Sequence, residues 1–278
     1  MVKKPDNIEE PEQLRPAIIR GKGTTDSERY LASVADRSFL NLWSYPSPYR
    51  DQGIEGAGDG KEVCDLLVVC GEHIIIFSEK TVSWPSGSSE IAWRRWSKSA
   101  IRDALKQIKG AERWISEHSD RIFLDRRCTV PFPIDIPPPD SRKIHRIVVA
   151  NGAVDACRTF LKSTLGSLFI DPSVLGDAHW PKDDAQIKPF QVGDIDPDGP
   201  LVHVFNEAAF DIVMRELDTI TDLTDYLTAK ERFVRSGKLI AAEGEENLVA
   251  YYSIRVNSDG FHDFVMDHSD KAVALDAW

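Results

Sequence analysis

The sequence lacks any apolar run approaching 18 residues, so a transmembrane helix is not expected. Its opening stretch, MVKKPDNIEEPEQLRP, has no apolar core of the kind a signal peptide needs. Cysteine is scarce: Cys64, Cys70, Cys128 and Cys157 show no C-x-x-C spacing. That argues against a disulfide framework and against a zinc ribbon, and it predicts a reduced, cytoplasmic protein. The seven histidines show no H-E-x-x-H pattern. No P-loop and no G-x-S-x-G elbow occurs, and the pair Gly21 and Gly23 is too short for a dinucleotide fingerprint. Excess positive charge is also lacking. The chain has 34 Lys+Arg against 45 Asp+Glu, a net charge of −11, so a whole-chain footprint for nucleic acid is absent. Charge segregated into a local patch is still allowed.

What is present is an ordinary globular composition: 278 residues, 42% apolar, with 12 Phe, 7 Trp and 6 Tyr, which rules out global disorder. The length fits one large or two small domains. Residues 1–23 read as a flexible lead-in. A helix is predicted from Thr25, where Thr25-x-x-Glu28 forms a capping box, with Leu31, Val34, Ala35, Phe39 and Leu42 as its stripe. Residues 46–61 are a glycine-rich loop. EVCDLLVVC, Gly71-Glu72 and HIIIFSEKTV then form a hairpin on a type II′ turn. Both strands are apolar on both faces, which places the hairpin centrally in a covered sheet.

A long helix is predicted over 93–117, with Ile101, Leu105, Ile108 and Ile115 inward. A proline-rich connection covers 129–142. A strand follows at 143–151 and a short helix at 153–165. Residues 171–199, rich in Asp, Pro and Gly, read as irregular, with a strand after them at 201–205. Helices at 207–217, 220–236 and 244–255 complete an α/β layered core with a helical C-terminal portion. The expected divisions are a core over 24–205 and an extension over 206–278. No terminating signal marks Trp278, so a fragment is an open reading.

The turn at Gly71-Glu72 pairs Cys70 with His73 and sets Asp65 opposite Ser78. By alternation Asp65, Ser78 and Lys80 share one face, and Glu79 takes the other. A carboxylate and an ammonium on a covered face are costly unless paired or used. Glu28 could approach the same face, as could Gln107 from the flank of the 93–117 helix.

These residues resemble the PD-(D/E)XK nuclease superfamily: a helix Glu, a strand Asp, then an acidic residue, any residue and Lys on the next strand, with a glutamine on the trailing helix. The matching positions are Glu28, Asp65, Ser78, Lys80 and Gln107, and the resemblance covers residues 24–150. It implies a restriction-endonuclease-like central mixed sheet flanked by helices. Its implied activity is an Mg²⁺- or Mn²⁺-dependent endonuclease acting on DNA ahead of RNA, of the kind found in prokaryotic defence. Asp65, with Glu28 directly or through water, would hold the metal, and Lys80 would stabilise charge on the phosphate. This chain departs from the pattern at Ser78, where an acid is usual. Mrr-like members of the superfamily resemble it in placing an uncharged Gln there. Glu79 could substitute only through a bulge or a register slip.

Each residue also has a plainer role. Glu28 can serve the capping box, Asp65 can bond Ser78, Lys80 can reach solvent, and Gln107 can be a polar helix border. Arg94, Lys98, Arg102, Lys106, Lys109 and Arg113 lie within about 120° on a helical wheel. That basic stripe fits either a phosphate-tracking surface or a solvated face. Trp84, Trp93 and Trp96 fit base stacking or core packing. The acidic residues after 206 predict a helical layer turned to solvent or to a protein partner, and a homo-oligomer is a further open reading. Two functional readings therefore stand: a metal-dependent nuclease, and a catalytically inactive nuclease-fold module for nucleic-acid or protein binding in a larger assembly.

Overall fold

The computed structural model describes residues 26–51, 59–217, 219–266 and 272–276. The expected lead-in and Thr25 fall outside that range, as do the side chains of Glu28 and Phe39. In chain order the elements begin with α1 (Asp26–Arg37), β1 (Ser44–Pro46), β2 (Tyr49–Arg50), β3 (Lys61–Glu62), β4 (Leu66–Cys70) and β5 (His73–Thr81). Then come α2 (Ser89–Ser97), a π-helical turn at Lys98–Arg102, α3 (Asp103–Glu117), β6 (Ile122–Phe123), β7 (Lys143–Asn151) and α4 (Val154–Leu161). The remainder is β8 (Phe169–Leu175), β9 (Gln191–Asp194), β10 (Val202–Phe205), α5 (Glu207–Glu216), α6 (Ile220–Arg235), β11 (Leu239–Ala242), α7 (Glu245–Ser253) and β12 (Val273–Leu275).

The central sheet is mixed, in the order β1-β4-β5-β7-β10. β1, β4 and β5 run antiparallel, while β5, β7 and β10 run parallel. Gly71 takes φ +57° in the β4–β5 turn and Glu72 stays outside the left-handed region, as a type II′ turn requires. Cys70 pairs with His73 and Leu66 with Phe77, the expected register. Helices cover both faces. Leu67, Val69, Ile74 and Ile76 pack with Ile101, Leu105, Ile108 and Ile115 of the α2–α3 layer. Leu66, Val68, Ile75 and Phe77 pack with α1, α5, α6 and α7. The continuous apolar runs of these strands are explained by this double cover.

Three expectations need correction. The first helix ends at Arg37, and a short 3₁₀ turn at Phe39–Leu42 leaves Leu42 exposed rather than on a buried stripe. Residues 171–199 are ordered: β8 and β9 join β11 and β12 in a second sheet, order β12-β11-β8-β9. β8 contains Asp171 and Pro172 and shows no alternating burial, and its pairing with β11 spans a long stretch of chain. The long helix begins at Ser89 and is interrupted by the π turn, which inserts a residue into the i→i+4 ladder. The tryptophans are packing residues: Trp93 and Trp96 are buried, and Trp84 stacks on buried Phe190 at 4.9 Å. No helix among the described residues is long and apolar enough to cross a membrane.

Candidate active site

Asp65 sits at a bend immediately before β4, pinned on both sides of the chain. Its N–H donates to Phe77 O (3.2 Å), and its carbonyl accepts from Ser47 N (3.0 Å). Its side chain turns to the α3 face, where it is 7% exposed. Oδ2 accepts from Glu79 N at 2.6 Å and from Ser78 Oγ at 3.2 Å, and Oδ1 accepts from Gln107 Nε2 at 2.9 Å. Gln107 Oε1 in turn accepts from Lys80 Nζ at 2.9 Å and lies 3.1 Å from Ser78 Oγ, whose single proton is shared between it and Asp65 Oδ2. The amide orientation follows from charge, because a flip would set NH₂ against the ammonium and oxygen against the carboxylate. Asp65, Ser78, Lys80 and Gln107 are therefore one network.

Gln107 stands between the two charged groups. Among the described residues Lys80 forms no ion pair with a carboxylate, and only one of its three donors is engaged. Lys80 is half-buried. Next to this site the Cys64 thiol is pushed up by burial and further by the Asp65 and Glu62 charges, so it stays protonated and inert.

Helix α1 lies against the face opposite Gln107, and the side chain of Glu28 is outside the described residues. Glu79 follows the regular register onto that opposite face; no bulge turns it toward Asp65. Among the described residues no group of three or more His, Cys, Asp or Glu side chains is placed to hold a metal ion. Asp65 offers carboxylate oxygen with Ser78 hydroxyl beside it. Those are oxygen donors, of the kind a hard cation takes, without the Cys or His ligands typical of zinc.

The basic stripe is divided. Arg94 donates to Pro181 O (3.0 Å) and Lys182 O (3.1 Å) and pairs with Asp184. Arg102 lies 5.6 Å over the Trp180 ring, and Lys109 pairs with Asp196 at 2.7 Å. Lys106 pairs with Asp103 at 2.8 Å. Lys98 and Arg113 are exposed and have no acidic partner among the described residues. The segment read as irregular thus lies along one side of the stripe.

The acidic C-terminal layer also hides what composition did not show. Glu245 is buried, accepting from Tyr226 Oη at 2.5 Å and from Lys230 Nζ at 2.7 and 2.6 Å. Lys230 occupies an inward position between Tyr226 and Phe233, a signal that was legible. A histidine row runs under the same layer: His73 Nδ1 lies 2.8 Å from His145 Nε2, and buried His203 has no hydrogen-bond partner at either ring nitrogen among the described residues. Burial, then the neighbouring His73 and Lys143, holds His145 down to about 3. Compared with protein-family models, with curated proteins and with solved structures, the chain finds no match.

Proposed function

We propose that the chain is a metal-dependent nuclease that hydrolyses phosphodiester bonds, DNA ahead of RNA, on a restriction-endonuclease-like sheet. The observation that carries this reading is the meeting of Asp65 and Lys80 on one sheet face with Gln107 holding them apart. A carboxylate and an ammonium that do not neutralise each other are both available to a substrate phosphate. The order helix, hairpin, helix, parallel strand is a second support. Asp65 would hold Mg²⁺ or Mn²⁺, which supplies an activated water and stabilises charge on the phosphate. Lys80 faces the developing negative charge with its free donors. Ser78 and the Glu79 N–H hold the Asp65 carboxylate in place, and Gln107 orients Lys80. Lys98 and Arg113 offer unpaired charge to a backbone.

The test is cleavage of plasmid, single-stranded DNA and RNA with Mg²⁺, Mn²⁺ or EDTA. Metal-dependent cleavage that falls by about 10²-fold or more in both Asp65→Ala and Lys80→Ala supports the reading. One observation favours the inactive module instead: Ser78 replaces a carboxylate, and Asp65 already accepts three hydrogen bonds. Absence of cleavage in every condition, with retained nucleic-acid binding, is the outcome that selects the module.

A further inference from the structure

Two hollows meet at one side chain on the side of the molecule where α1, α5 and α7 cover the sheet. The larger, about 680 Å³, lies between the loop after α4 and the start of α7, with Leu161, Phe169 and Ala250 in its walls. The smaller, about 490 Å³, lies between α1 and α5 over Tyr30, Ala208 and Ile212. Leu165 lines both and is 40% exposed, so the hollows form one groove with an aliphatic ridge at its middle. The ridge is held in place. Lys162 ends α4 in the left-handed region at φ +56°, Ser163 Oγ accepts from Gly166 N at 3.1 Å, and Arg158 donates to Thr164 O (3.1 Å) and Leu165 O (3.3 Å).

The walls are acidic. Glu207 and Asp211, one turn apart on α5, line the smaller hollow, and Glu243 and Glu246 line the larger. Glu207, Asp211 and Glu246 have no ion pair among the described residues, and Glu246 Oε2 is buried with no hydrogen-bond partner there. Two of the lining cations are engaged: Arg158 pairs with Asp155 at 2.8 Å and Arg215 with Glu216 at 3.0 Å. The third, Lys162, has no acidic partner among the described residues. Around the groove, residues 206–278 hold 15 acidic side chains against 7 basic ones, so the wider field has the same sign as the walls.

That field selects the occupant. A nucleic acid or an anionic membrane is repelled, and a second copy of the same face would set its carboxylates against these. An aliphatic ridge between acidic walls fits a chain with cations on either side of aliphatic residues. We propose that the groove binds a short basic segment of a partner protein, in which Lys or Arg flanks one or two aliphatic residues. The aliphatic side chains cover Leu165, and the cations meet Glu207 and Asp211 on one side and Glu246 on the other. The groove lies across the sheet from Asp65, so the proposal does not depend on nuclease activity.

The test is fluorescence anisotropy of a labelled synthetic peptide, KRLIRK, with the full chain at low salt. Wild type binds it. The peptide KRSSRK keeps the charge, loses the aliphatic pair and binds more weakly by about tenfold or more. KRLIRK is weakened by about the same factor in Leu165→Ser and in Asp211→Lys. Both positions are exposed, so the variants keep the wild-type melting temperature. Equal binding of KRSSRK, or binding that survives both variants, marks nonspecific charge attraction and overturns the proposal. Absence of binding to wild type overturns it as well. Two further results reassign the groove and so overturn the partner. Peptide binding that appears only in Ile18→Asp with Ile19→Asp gives the groove to the chain's own basic segment RPAIIRGK, residues 15–22. A dimer that Asp211→Lys dissolves gives it to a second copy.

Discussion

The two faces of the central sheet treat a lysine in opposite ways. On the α6 face Lys230 meets Glu245 directly, with Tyr226 completing the contact, and none of the three is more than 4% exposed. Burial pulls the Lys230 ammonium down while Glu245 pushes it up, and burial pushes the Tyr226 hydroxyl up. On the α3 face Gln107 keeps Lys80 from Asp65. A pair closed on itself can help specify packing, but it offers nothing to a ligand. A pair parted by a neutral amide leaves one ammonium at the surface and one carboxylate beside it, which is what a charged substrate requires.

The largest effect should come from breaking the closed pair. Glu245→Ala leaves an uncompensated buried ammonium and should cost about 3–5 kcal/mol in urea unfolding. The double variant Lys230→Met with Glu245→Leu should recover most of that loss, and failure to recover would show that the pair is more than a satisfied charge. The histidine row on the same face should make stability acid-sensitive. Burial holds His145 at about 3 and lowers His203 well below its usual value, with Lys230, His145 and Arg235 adding to the effect on His203. The unfolded chain takes up these protons near pH 6.5 and the folded chain does not. Stability is therefore full above about pH 6.5 and declines as pH falls, by about 1.4 kcal/mol per unit for each histidine. Melting curves of His203→Leu should show a shallower decline across that window.

A smaller change sharpens the other side of the comparison. Gln107→Glu gives Lys80 a direct carboxylate and sets a like charge against Asp65. On the proposed nuclease reading, cleavage should drop by about tenfold or more while the fold persists. Gln107→Ala removes the contacts to Asp65, Lys80 and Ser78 at a half-buried position, and the expected stability loss is about 1 kcal/mol in the same unfolding measurement. The smallest effect belongs to the segment lying on the basic stripe. Asp184→Ala frees the half-buried Arg94 from an exposed acid, so stability should change by less than about 1 kcal/mol. Affinity for a single-stranded oligonucleotide at low salt should rise slightly if that stripe meets phosphate.

Much of the site was legible before any coordinates. A Gly-Glu turn between two apolar runs leaves one register, and that register puts Asp65 opposite Ser78 with Lys80 two residues on. The strands at 143–151 and 202–205 were likewise readable from their apolar runs. The second sheet was not, because its central pairing joins β8 to β11 across a long stretch of chain, and β8 carries Asp171 and Pro172 within it. The inward carboxylate of Glu245 was read as part of an acidic exterior, since its lysine is 15 residues away and sits on another helix. The basic stripe was drawn for an uninterrupted helix, and the π turn and the covering segment both alter it.

By itself the sequence determined which side of each strand a residue occupies, because the period of two leaves no freedom once the turn is placed. It also determined which helices carry an apolar stripe. Only the tertiary structure decided which charges meet. That choice depends on which helix crosses which strand end, and so on packing among residues far apart in the chain. Gln107 between Asp65 and Lys80, Glu245 against Lys230, and Leu165 between acidic walls are three results of that packing which no local pattern specifies.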